Sequence, residues 1–249
     1  MLLNKRNTKA ILRRSQFVVG LAKVTRGFVG DTRVLYWLAW RNVKIARYLL
    51  THPVKKLQLA ASNNLLPEWL NSDIFPNTRL AVYLDATKRF PFDDNALDYV
   101  FSEHMIEHLD YPSAQVMLRE CFRVLRPGGR LRIATPDFDV LLALHSREKT
   151  EAQEAYIDWA TSRFFPDVGK CNDVFVINNF FRSWGHQFLY DGETLEDALS
   201  AAGFREIKFY QPGASDDPAL QGIEAHGKEL GSEEINRFET IVVEGLKES

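Results

Sequence analysis

The stretch from residue 90 to residue 137 constrains the fold of this chain more than any other. An acidic lead-in, FPFDDNALD, runs into an apolar strand candidate at 98–102 (DYVFS), which ends in Ser102-Glu103-His104. A helical run follows over 112–125, with Ala114, Met117, Leu118, Cys121 and Leu125 on one face and Pro112 at a first-turn position. Arg126-Pro127-Gly128-Gly129 then turns the chain, and a second apolar run occupies 131–134. Two strands with continuous rather than alternating apolar character, joined by an amphipathic helix, predict a parallel sheet covered on both faces.

Three more strand candidates lie upstream, at 57–61 (LQLAA), 69–74 (WLNSDI) and 80–84 (LAVYL). Asp73 closes the second and Asp85 follows the third. Acids therefore gather at strand C-terminal ends, the edge where open α/β sheets bind their ligands. Downstream, 194–202 predicts a helix with a capping-box-like pair, Thr194 and Asp197, and a stop at Gly203. Strand candidates at 204–210 and 239–245 complete the set. Residues 138–190, rich in aromatics and asparagine, are an insertion after the fifth strand, positioned to form a substrate wall or lid.

Net charge divides the chain. Residues 1–56 hold 13 Lys/Arg against one acid, Asp31, for +12, while the remainder carries −14. A basic helical arm over 1–54 thus precedes a single α/β domain over 55–249. Within it, 32–50 predicts an amphipathic helix with Leu35, Leu38, Ile45 and Leu49 on the packing stripe. Arg33, Trp37, Trp40, Arg41, Lys44 and Tyr48 lie on another face, which fits either a solvated surface or a dock for an anionic partner or membrane surface. The first 30 residues weakly resemble an organelle transit peptide, but the basic character continues to Lys56, which favours an arm. No run is long enough to span a membrane. Two cysteines fifty positions apart, Cys121 and Cys171, form no disulfide framework and no zinc pattern, so a reducing, cytoplasmic setting is expected, with peripheral membrane contact open to the arm.

The segments LPEWLNSDI, DATKRFPFDDNALDYVFSEHMIEHL and LRECFRVLRPGGRLRIATPD together resemble the type-11-like class I S-adenosylmethionine (SAM) methyltransferases, in particular a group of bacterial sequences. VINNFFRSWGHQFLYD and GFREIKFYQPGASDDPAL extend the likeness to nearly everything after Lys56. The resemblance implies a Rossmann-like, mostly parallel seven-stranded sheet with helices on both faces, and SAM as cofactor. It implies a donor site at Ala60, Ala61, Ser62 and Asn63 in the first loop, Asp73 at the ribose, Asp85 and Ala86 near the adenine, and Ser102 at the end of strand four. Glu103, His104 and His186 are the candidates for work at the reacting centre.

The first loop departs from the pattern. Where the family reads LGCG or LGAG, this chain has Ala60-Ala61-Ser62, and only 62–68 link the first two strands, short for a parallel crossover. Asn63 and Asn64 are the residues expected to tolerate a left-handed backbone there. The expected function is methyl transfer to a small-molecule, glycan or lipid-linked acceptor. The alternative is a methyltransferase-fold protein that has lost turnover and docks a partner through its arm. Nucleic acid ranks below both, since no NPPY-like motif follows strand four. His104 and His108 have metal-pair spacing but no third ligand is legible, so no metal is expected.

Overall fold

The structure, a computed structural model, describes residues 37–38 and 40–248. Leu35 and Arg33, and most of the basic arm, lie outside the described residues. Seven strands form one sheet in the order β3-β2-β1-β4-β5-β7-β6. They are β1 (Lys56–Leu59), β2 (Leu70–Asp73), β3 (Ala81–Tyr83), β4 (Leu97–Glu103), β5 (Leu125–Pro136), β6 (Arg205–Tyr210) and β7 (Thr240–Leu246). Strands β3-β2-β1-β4-β5 run parallel, and β7 is antiparallel to both neighbours. The order reverses between β1 and β4, so the crevice at their C-terminal ends is the topological switch point, the place where open α/β sheets generally bind ligands.

The two faces of the sheet differ chemically. Leu57, Val100 and Leu131 stand in register across β1, β4 and β5 and join the main apolar core. That face is covered by α1 (described over 40–51), α2 (Tyr111–Val124) and α6 (Gly192–Ala202). Helix α2 places Ala114, Met117, Leu118, Cys121 and Val124 inward, as its 3.6-residue period dictates, and Asp110 caps it by accepting from Ser113 N at 2.8 Å. In α1, Ile45 and Tyr48 are buried. Tyr48 belongs to the packing face rather than the basic one, because its hydroxyl binds the backbone of Lys56 and Glu68.

One residue further along each strand, the opposite face reads Asn71, Gln58, Phe101, Arg132, Glu244 and Lys208. No helix follows β1, β2 or β3; turns replace the crossovers. The segment 211–225 roofs this face instead. It brings Leu220 onto Trp69 and Phe101, and carries Glu224 to Arg132. Arg132 is fully buried, 2.6 Å from carboxylates of Glu224 and Glu244. A continuous apolar pattern in β5 would not suggest this, since Arg132 sits between Leu131 and Ile133.

Two local expectations are corrected. Arg126-Pro127-Gly128-Gly129 is not a turn outside the sheet: β5 begins at Leu125, and the four residues form an irregularity where the register slips between Leu97 and Tyr99. Gly128 supplies the positive φ of +77° that this requires. The cap of α6 is Asp191, which accepts from Thr194 N at 2.7 Å, rather than a Thr194–Asp197 box. Its stop is Gly203 as expected, at φ +110°. A Cβ at Gly203 would lie 2.8 Å from the ring of Phe122. Gly203→Ala is therefore expected to destabilise the protein by about 1–3 kcal/mol, read from the urea midpoint. A change within experimental error would show that the ring and the backbone relax freely.

The insertion is helical. Helices α3 (Phe138–Ala143), α4 (Glu151–Phe164) and α5 (Asp173–Arg182) pack with α8 (Glu233–Glu239) around Leu141, Leu144, Ile157 and Phe180. A complete capping box, Thr150 with Gln153, starts α4. The short α7 (His226–Leu230) precedes α8.

Candidate functional site

Strand β4 delivers its last residues to the switch point. Ser102, in register with Leu59 and Ile133, is fully buried and its hydroxyl has no partner. Glu103 turns to the roofed face, where its carboxylate accepts from Ala225 N and His226 N at 2.9–3.0 Å. Burial raises its pKa against those two amides. It thus anchors the start of α7. Asn64, after β1, reaches the same helix through Glu229 Oε1 at 2.7 Å. Residues 225–229 therefore bridge the ends of β1 and β4.

His104 leaves the strand with φ +44°, which swings the chain into a 3-10 turn at Ile106–His108. Its ring stacks on His226 at 3.7 Å between centroids. Both its nitrogens are engaged: Nε2 lies 3.2 Å from Thr240 Oγ1 and Nδ1 3.4 Å from Glu107 Oε1. Burial opposes charge on both His104 and Glu107, but their mutual contact outweighs it. The imidazole is held above its usual pKa and the carboxyl below. His226 continues the chain to Glu239 Oε1 at 3.2 Å, and the other oxygen of Glu239 accepts from the Tyr156 hydroxyl.

These groups line a cavity of about 410 Å³. Its polar wall is His104, Glu107, His108, His186 and Glu239, and its aromatic wall is Tyr156, Trp159, Phe164, Phe180 and Trp184 from the insertion. Two backbone bonds fix the walls together: Gln187 N and Phe188 N donate to Glu107 O at 2.7 and 3.2 Å. Ring contacts of Trp184 with Phe164 (5.1 Å) and Phe180 (5.7 Å) order the aromatic side. His186 points Nδ1 at Phe180 O, 2.9 Å away, and burial lowers its pKa.

His104 and His186, two of the expected reacting-centre residues, thus share one cavity, and Glu103 stands behind it. The cavity also recruits Glu107, Tyr156, Trp159, His226 and Glu239, which the sequence did not single out as site residues. Gly231 and Ser232, a stop followed by the cap of α8, were the legible signal that a helix pair intervenes before β7.

The first loop keeps a glycine-like path without glycine. Left-handed φ values fall on Ala60 (+49°) and Ser62 (+46°), not on Asn63 or Asn64. Asn63 is tied by its side chain to Asn77 at 2.6 Å. Ser62 N donates to Asp73 Oδ2 at 3.0 Å, and Phe75 N to Asp73 Oδ1 at 2.7 Å. Asp85 Oδ1 accepts from both the amide and the hydroxyl of Thr87, and Ala86 packs against the core.

The residues fit a nucleoside-bearing donor at this edge. An ionised carboxylate has about four acceptor positions, so Asp73 retains room for a diol after binding two amides. Among the described residues Asp85 binds Thr87 through Oδ1, and Oδ2 accepts no hydrogen bond. The orphaned Ser102 hydroxyl is the kind of buried group that a ligand satisfies.

Residues 33–133 match a family model described as a methyltransferase domain. No curated protein matches the chain significantly. Similar solved structures include a SAM-dependent methyltransferase from Archaeoglobus fulgidus (18% identity, 86% of this chain and 94% of that one, TM-score 0.48). Another is a SAM-dependent methyltransferase from Thermotoga maritima, described as a possible histamine N-methyltransferase (14% identity, 92% and 96%, TM-score 0.44). A third is a putative methyltransferase in complex with the Trm112 activator of Haloferax volcanii (17% identity, 92% and 95%, TM-score 0.43). The matched segment runs from α1 through β1 to β4 and most of β5, and over that part the chain is similar to a methyltransferase domain.

Proposed function

We propose that the protein transfers a methyl group from SAM to a small acceptor held in the aromatic cavity. The observation that carries this reading is the position of the cavity: its polar wall begins at His104, the residue that leaves β4 at the switch point. The donor supplies an electrophilic methyl on a sulfonium, so the protein's task is to hold, align and exclude water. Asp73 would take the ribose hydroxyls, Asp85 the adenine edge and Ser102 the inner end of the donor. Ala60 and Ser62 would shape the loop against it.

A volume of about 410 Å³ suits a small molecule rather than a folded polymer. The aromatic wall favours a flat acceptor; Arg163, which also lines the cavity, already lies over the Trp159 and Phe164 rings, which leaves Tyr156, Phe180 and Trp184 for its faces. His104, with both nitrogens committed, would position the acceptor and shape its surroundings. His186 keeps Nε2 for the cavity side.

The test is transfer of labelled methyl from SAM into small-molecule fractions, followed by kinetics on the acceptor found. Trp184→Ala is expected to raise the acceptor KM about tenfold, since each aromatic contact is worth about 0.5–1.5 kcal/mol beyond its area. SAM affinity should not move. An equal loss of SAM affinity would place the acceptor elsewhere.

A further inference from the structure

We infer that Glu107, His108 and His186 form a binding site for a divalent transition-metal ion of the zinc class. The inference is independent of methyl transfer: a protein that binds the ion but not SAM leaves it standing. Spacing alone couples His108 with His104. The fold instead turns His108 towards His186, with ring centroids 5.0 Å apart and nearly perpendicular. One ligand atom from each of Glu107, His108 and His186 lies within 4.8 Å of the others.

Three features mark a built site rather than a chance cluster. First, Glu107 is fully buried, and its Oε1 receives no hydrogen bond of good geometry; the nearest cationic group, His104 Nδ1, is 3.4 Å away. Beyond its ion-pair contact with His104 that oxygen keeps acceptor capacity for a further partner. Second, the other oxygen, Oε2, accepts from Thr135 Oγ1 at 3.0 Å, which fixes the carboxylate plane. Third, Nδ1 of His186 faces the carbonyl of Phe180 at 2.9 Å, which sets the tautomer and leaves Nε2 as a free donor pair. A metal-ligating histidine is held in this way by a carbonyl behind it.

The backbone makes the arrangement rigid. The segment carrying His186 is clasped to the 3-10 turn carrying Glu107 and His108 by Gln187 N and Phe188 N on Glu107 O, and by Gln187 Nε2 on His108 O at 2.8 Å. Two imidazoles and one carboxylate suit zinc-class ions rather than magnesium or calcium, which prefer all-oxygen shells. Ligand bonds of about 2.0–2.2 Å ask the three atoms to draw together, a movement of the partly exposed His108 ring towards Glu107 and His186, which Thr135 and Phe180 hold. All three residues line the cavity, so the open coordination position faces it. That position takes water, or a heteroatom of whatever small molecule the cavity holds.

The test uses the full-length chain stripped with a chelator and titrated with Zn²⁺ by calorimetry, with Co²⁺ as the spectroscopic probe. One equivalent is expected to bind, and Co²⁺ should develop visible ligand-field bands of low coordination number. His108→Ala and His186→Ala, both at partly exposed positions, should each weaken Zn²⁺ by more than the ~10–100-fold typical of losing an outer partner. Thr135→Val, an outer partner here, should fall within that range. Glu107→Gln should abolish the cobalt bands, with circular dichroism confirming that it folds. No binding to the wild type, or equal affinity in the wild type and both histidine variants, overturns the site.

Discussion

Arg132→Met is expected to destabilise the protein by about 3–5 kcal/mol, the usual consequence of removing one partner from a buried ion pair. The guanidinium lies between Glu224, with a side chain 3% exposed, and Glu244, 1% exposed. Without it two carboxylates face each other in the interior. They must either stay charged at high desolvation cost or take up protons. The damage has a definite location. Glu224 also accepts from Gly213 N at 3.0 Å, so the cluster ties the 211–225 roof to the sheet. In that roof Asp217 accepts from the Tyr99 hydroxyl at 2.9 Å. Urea unfolding should show the lower midpoint, and hydrogen exchange should show early loss of protection at 211–225. The variant Arg132→Met/Glu224→Gln/Glu244→Gln should recover a large part of the stability, because the unpaired charges are gone. A loss below about 1 kcal/mol for Arg132→Met, in the range of exposed ion pairs, would mean that water reaches the cluster.

Asp73→Ala should weaken SAM binding by at least one to two orders of magnitude. A hydrogen bond to a charged acceptor is worth about 1.5–3 kcal/mol, or roughly 10–150-fold in affinity. The same carboxylate holds Ser62 N and Phe75 N, so alanine also frees the first loop. Asp73→Asn separates the two effects. Its amide oxygen keeps one backbone acceptor while the charge is lost, and its affinity should fall between wild type and alanine. If asparagine and alanine bind SAM like the wild type, the ribose is held elsewhere.

Much of this architecture was legible because strand and helix signals agree from residue 57 onward. The acids closing β2 and following β3 lie at the C-terminal edge of the strands as expected, and the periodicity of α2 gave its length to within one residue and its buried face except at Leu125, which begins β5 while Val124 is the buried helix residue. The expected packing stripe of α1 held at Ile45, while Tyr48 crossed from the basic face to the core by bonding backbone at Lys56 and Glu68, a long-range event without a local signal. The roofed face was illegible for a similar reason. Gln58, Asn71 and Arg132 read as polar interruptions in strands, and only the sheet register shows that they form one row satisfied by a distant segment. In the first loop the expectation of a left-handed backbone was sound, but it fell on Ala60 and Ser62. Asn63 is held instead by its side chain. The cavity could not be seen from spacing, since Glu107, Tyr156, His186, His226 and Glu239 come from five separate elements or loops. Among the described residues no helix is long and apolar enough to cross a membrane, which agrees with the absence of a spanning run in the sequence.

The decisive question is whether a first loop without glycine still serves the donor. Its left-handed turns at Ala60 and Ser62, and the acceptor capacity left on Asp73, support the proposal that it does. Isothermal titration of the wild-type chain with SAM and with S-adenosylhomocysteine tests this most directly. One equivalent of each should bind, with a dissociation constant in the range of about 1 μM to 1 mM spanned by ordinary enzyme substrates. Absence of any saturable heat at millimolar ligand, with the protein folded, would contradict the account.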